Sequence, residues 1–146
     1  MLEGISPLFS PELLAGIYMM GHGDELVLAD AHFPGESLGR EVLRSDGLKI
    51  PELLRAILPL FAIDMHDEHP VIMMAPAEGD IPNPDVESAY GAIIGELRPG
   101  TGPIHKLERY DFYERAQESF LIVQTGDTET YANLILRKGV TPLRSF

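Results

Sequence analysis

The 146-residue chain is 45% apolar and 23% charged, a globular composition long enough to bury one sizeable core, so residues 1–146 read as a single domain. Its formal charge of −12 would repel a phosphate backbone or an anionic membrane, because Arg40, Arg44, Arg137, Lys138 and Arg144 are scattered along the chain. With no cysteine there is no disulfide, thiolate metal site or cysteine nucleophile, which fits a reducing cytoplasm.

The opening "MLEGISPLFSPELL" lacks the basic patch and long apolar stretch of a signal peptide. "SPELLAGIYMM" predicts a helix with Ser10 as N-cap and Pro11 at its first position, closed by Gly21 in a left-handed conformation. "ELVLAD" follows as a buried strand and "IPELLRAILPLF" as an amphipathic helix. Within it, the longest apolar run, Ala56 to Ile63, is far short of the roughly 18 residues of a membrane span. "VIMMA" predicts a second strand, "NPDVESAYGAIIGEL" a helix, "IHKLER" a strand and "YDFYERAQESF" a helix. "LIVQTG" and "ANLILRKG" predict closing strands. The short segments "EGDIPNPD" and "RPGTGP" read as loops inside the domain. Apolar strands alternating with helices predict an α/β fold with a mostly parallel sheet covered on both faces. In such sheets ligands gather where loops leave the strand ends.

"MGHGDELVLADAHF" therefore draws attention, because titratable groups bracket a buried strand. His22 falls just past the predicted helix, where the negative end of the helix dipole favours a cation. Asp30 and His32 come at the far end of the strand. Eight residues of extended chain between His22 and Asp30 would span roughly 20 Å, so the chain folds back sharply or the site is built from two subunits. Three readings fit these residues. They are turn residues; or His22, Asp24, Asp30 and His32 hold a metal; or His22 does general acid–base work with Asp30 orienting substrate or base. The glycines Gly21 and Gly23 precede a strand and lack a third partner, which sets a dinucleotide site aside.

Tyr131 and Asn133 stand at the start of the last predicted strand, where alternation directs both to one side. They suit a polyhydroxylated ligand, or equally a buried tyrosine beside a turn asparagine. Arg109 ends a predicted strand before a helix, as a surface cation or a ligand-binding group.

"GISPLFSPELL", "MGHGDELVLADAHFP", "LRSDGLKIPELLRAILPLF", "MMAPAEGD", "FYERAQESF" and "YANLILRKGVTP" together resemble the RbsD/FucU family of sugar mutarotases, nearest its L-fucose branch. The resemblance implies a three-layer α/β/α subunit with a mostly parallel mixed sheet. It implies anomer interconversion of a free monosaccharide without metal or cofactor. By matching positions, His22 is the proton donor, and Asp30, Arg109, Tyr131, Ala132 and Asn133 bind the sugar, with Ala132 acting through its main chain. It also implies a cytoplasmic homo-oligomer, a decamer of two stacked pentamers, with sites completed by adjacent subunits. The chain departs most from the family pattern at 62–70 and 96–103.

On this reading His22 protonates the ring oxygen, and Tyr131, a water or Asp30 accepts the anomeric proton. Phe33, Met73 or Met74 supplies an apolar wall for a sugar methyl. The rival readings are a non-catalytic sugar-binding protein and a metal-dependent hydrolase using His22, Asp24, Asp30 and His32.

Overall fold

Alternation inside the strands decides the layering. In the strand Glu25–Ala29 every residue is buried, with Leu26 and Leu28 in one apolar cluster and Val27 and Ala29 in the other. A strand buried on both sides needs helices above and below it. The computed structural model describes residues 1–38 and 41–143 and meets that need. Arg40 and Arg144, named above among the scattered cations, lie outside the described residues.

In chain order the elements are α1 (Pro11–Met19), β1 (Glu25–Ala29), β2 (Val42–Ser45), α2 (Ile50–Ile57) and β3 (Val71–Met74). Then come α3 (Pro84–Leu97), β4 (His105–Leu107), α4 (Arg109–Glu118), β5 (Leu121–Thr125) and β6 (Leu134–Arg137). The strands form one six-stranded sheet in the order β2-β5-β1-β6-β3-β4. β6 runs antiparallel to β1 and β3, and the remaining pairs are parallel. Residues of α1, α2 and α3 pack with Leu26, Leu28, Leu121, Val123, Leu134 and Leu136 on one face. Phe112 and Ala116 of α4 cover Val27, Ile72, Ile122 and Ile135 on the other. This is the expected three-layer α/β/α arrangement with a mostly parallel mixed sheet. Among the described residues no helix is long and apolar enough to cross a membrane.

Local chemistry sets the helix ends. Ser10 Oγ accepts the Leu13 N–H at 3.1 Å, as its N-cap role predicts. Asn83 caps α3 through the Asp85 N–H at 3.0 Å. Pro59 lies in a short 3₁₀ turn, Leu58–Leu60, that follows α2, as a ring without an N–H demands.

The end of α1 corrects an expectation. Met20 is extended (φ −68°, ψ 131°), and the left-handed residue is Gly23 (φ 89°), not Gly21. Asp24 explains the change: its carboxylate accepts the Gly21 N–H at 2.7 Å, so the reversal is made by the Gly21–Asp24 turn. The short strand β2 was not anticipated.

Candidate active site at the two ends of the first strand

Asp30, Arg109 and Tyr131 meet at the C-terminal end of β1. They line a cavity of about 450 Å³ together with His32, Phe33, Met74, Asp80, Ile81, Tyr113 and Thr130, a size in the usual range for small-molecule sites. Asp30 is buried. Its N–H donates to Asn133 Oδ1 at 2.8 Å, and its Oδ1 accepts the His32 N–H at 2.9 Å. Burial raises its carboxyl above the ordinary carboxylate value, and hydrogen bonds to His32, Ala132 and Asn133 only partly offset this.

Ala132 is fully buried. Its carbonyl accepts the Tyr90 hydroxyl at 2.7 Å and its main chain supports Asp30. Asn133 is likewise buried behind Asp30 and orients it. Tyr131 does not follow strand alternation with Asn133, because β6 begins only at Leu134. Its backbone is left-handed (φ 57°), a conformation that costs a bulky residue about 1–3 kcal/mol and persists only where surroundings enforce it. Two hydrogen bonds do so at the ring's far end: the hydroxyl accepts the Ala77 N–H at 3.3 Å and donates to Asp80.

Arg109 is the first residue of α4 and is exposed. Its Nη2 donates to the Tyr110 hydroxyl at 3.0 Å, and the guanidinium lies 5.0 Å from that ring's centroid. Phe33 stacks edge-on with Tyr113 at 5.6 Å and with Phe112 at 6.0 Å. Phe33 and Met74 thus give the cavity an apolar side, whereas Met73 belongs to the opposite face of the sheet and to the other core cluster.

His22 lies at the other end of β1. Its side chain is 53% exposed and its Nε2 lies 3.1 Å from Asp64 Oδ2. Burial would raise the Asp64 carboxyl, but the His66 N–H, the His22 ring and Arg137 outweigh it and hold it below the ordinary value. A carboxylate only accepts, so the hydrogen between the two sits on Nε2, leaving Nδ1 as the nitrogen available to a substrate. The end of β6 fixes this pair in space. Lys138 O accepts the Gly23 N–H at 2.8 Å, Arg137 O accepts the Asp64 N–H at 3.0 Å, and Ala62 O accepts the Gly139 N–H at 2.7 Å. A Cβ at Gly139 would stand 2.5 Å from the Ile63 carbonyl oxygen, so only glycine permits that approach.

Around this end Glu25 pairs with Arg115 at 2.6 Å and with Arg137 at 3.4 Å. Arg137 Nε lies 3.2 Å from Asp67 and 3.5 Å from Asp64, yet is aligned for no hydrogen bond among the described residues. A polar hollow of about 830 Å³ opens here, lined by Gly23, Asp24, Glu25, Asp67, Arg115 and Arg137 among others.

The five strand residues of β1 separate the two ends by roughly 16 Å. His22 therefore cannot reach a sugar held by Asp30, Arg109 and Tyr131 in its own chain. The same separation corrects the metal reading: His22 and Asp24 lie at one end, Asp30 and His32 at the other, so the four cannot share one ion within a chain. Asp64, Asp80 and Tyr113 were not singled out from the sequence. Asp64 is 42 positions from His22 and Asp80 is 51 from Tyr131, and no local spacing signals either pairing.

Known proteins share this fold. The fucose mutarotase of Streptococcus pneumoniae, solved in complex with L-fucose, is 42% identical with a TM-score of 0.91, the match covering 97% of this chain and 100% of that one. FucU from Bifidobacterium longum is 40% identical with a TM-score of 0.90, over 96% and 100% of the two chains. RbsD of Bacillus subtilis, complexed with D-ribose, shares the fold at 22% identity and a TM-score of 0.76, over 97% and 100%. The model of the RbsD / FucU transport protein family matches residues 3–141. On that match and these likenesses, the chain belongs to the RbsD / FucU family.

Proposed function

We propose that the protein is a mutarotase that interconverts the α and β anomers of free L-fucose, with ribose as a second substrate. What carries the reading is the full-length likeness to a mutarotase solved with L-fucose, joined to a cavity that pairs polar groups with an apolar wall.

A pyranose is a cyclic hemiacetal. To change anomer, its ring oxygen gains a proton while the anomeric hydroxyl loses one. The open aldehyde turns about C1–C2 and closes on its other face. His22 is the proton donor to the ring oxygen, and an imidazole, which can donate through one nitrogen and accept through the other, serves both directions of the reaction. Arg109 offers donors to sugar hydroxyls and Asp30 offers acceptors. Phe33 and Met74 accommodate the methyl that fucose carries in place of a hydroxymethyl group. Asn133 and the Ala132 main chain hold Asp30 in position.

The donor reaches the sugar only from a second copy of the chain. We therefore propose that the site lies between subunits of a homo-oligomer; the family resemblance implies that this assembly is a cytoplasmic decamer of two stacked pentamers. Supporting this, Tyr18 and Met19, just before His22, and Met65, just after Asp64, are exposed at 90%, 63% and 55%, an apolar surface suited to a partner.

Saturation-transfer NMR between the α and β anomeric protons of L-fucose tests the function. The wild-type chain should accelerate exchange with or without EDTA, and His22→Ala should lower the rate by about 10²–10⁴-fold. Sugar binding without faster exchange would instead mark a binding protein, and loss of exchange in EDTA would contradict metal-free chemistry.

A further inference from the structure

The reaction also needs an acceptor for the anomeric proton, and the cavity holds two candidates with different commitments. Asp30 is buried and tied to His32, Ala132 and Asn133, which suits it to gripping the sugar. Tyr131 stands on the cavity wall with its hydroxyl engaged twice. It accepts the Ala77 N–H at 3.3 Å, and it donates to Asp80 Oδ2.

A phenol has one hydrogen, and an ionised carboxylate can only accept. The phenolic hydrogen is thus committed to Asp80, and Tyr131 faces a ligand as an acceptor. It can take a proton from a sugar hydroxyl only by passing its own to Asp80. Asp80 is exposed, so water can withdraw or return that proton between turnovers. Its loop also holds Ala77, the other partner of the hydroxyl, so one short segment fixes both the ring and its proton.

We propose that Asp80 is the positioning residue for proton removal: it orients Tyr131 and receives the phenolic proton as Tyr131 takes the anomeric one. As the C1–O5 bond breaks, the O1–H proton moves to Tyr131 Oη, the phenolic proton moves to Asp80 Oδ2, and His22 of another copy protonates O5. O1 becomes the aldehyde oxygen, and ring closure on the other face runs the same transfers backward. This rests on the mutarotase reading and adds a residue to it.

Exchange rates measured by saturation transfer over a range of L-fucose concentrations test the relay in the full chain. Asp80→Asn keeps an oxygen that accepts from Tyr131 but cannot take up the proton. It should lower kcat at least about tenfold while leaving KM within about twofold. Asp80→Glu should restore most of the loss. Tyr131→Phe combined with Asp80→Asn should be no slower than Tyr131→Phe alone, because the two act as one unit. Wild-type kcat in Asp80→Asn, or additive losses in the double variant, would overturn the relay and leave the mutarotase reading standing. If the wild-type chain itself fails to accelerate exchange, both fall.

Discussion

The two ends of β1 are built on opposite plans. The C-terminal end encloses a cavity with aromatic walls, a buried carboxyl held above its ordinary range and a backbone forced into the left-handed region at Tyr131. The N-terminal end is an exposed imidazole on an ion-paired ledge, beside a carboxyl held below its ordinary range. Asp30 is pushed toward its neutral form by burial, whereas Asp64 is kept charged by its neighbours. On the proposed function, the first end binds the sugar and the second delivers a proton. Neither is a complete site, and β1 keeps them apart in one chain.

Substitutions at each end should therefore fail in different ways. The largest effect on rate belongs to His22→Ala, which should abolish most anomeric exchange and yet bind L-fucose with near wild-type affinity in calorimetry. A parallel loss of binding would mean that His22 grips the sugar as well. Arg109→Ala removes charged hydrogen-bond donors worth about 1.5–3 kcal/mol to a sugar, so affinity should weaken by roughly 10–10²-fold. Its kcat, reached at high sugar, should change far less. A collapse of kcat with affinity intact would move Arg109 to the chemistry.

A smaller effect, on stability, sharpens the contrast further. Because burial raises Asp30 in the folded state, its charged form opposes folding. The favourable contribution of its neutral form is complete below the unfolded value near 3.8 and is lost as pH rises through the folded value. Asp30→Asn keeps an acceptor for the His32 N–H and removes the charge. Its melting temperature should match wild type in acid and exceed it at neutral pH, a gap that opens as pH climbs past the carboxylate range. Equal melting at every pH would show that Asp30's hydrogen bonds fully compensate its burial.

The central strands β1, β3, β5 and β6 and most helices were legible because those strand cores are apolar runs and most helix starts carry caps or prolines. β2 was missed because "VLRS" is a four-residue edge strand with three half-buried residues and an exposed Arg44, too short and mixed to carry a period. The roughly 20 Å span from His22 to Asp30 followed from chain geometry alone, and the separation stands. The conformation of Tyr131 did not, since a tyrosine shows no preference for positive φ and the loop at Ala77 and Asp80 that holds its hydroxyl is distant in sequence. The choice between Met73 and Met74 needed to know which face of the sheet bears the cavity, and a strand buried on both faces gives no such sign. The His22–Asp64 pair depends on how closely Gly139 lets β6 approach the 62–64 segment, a long-range contact that no local pattern encodes.

In the proposed assembly one copy's imidazole works on a sugar held by another. Co-expressing His22→Ala with Arg109→Ala chains tests it directly, because some mixed interfaces then join an intact imidazole to an intact cavity. At a sugar concentration too low for the Arg109 variant to bind, the mixed assembly should recover exchange that neither variant shows alone. Exchange no greater than the average of the two separate variants would contradict a site shared between subunits.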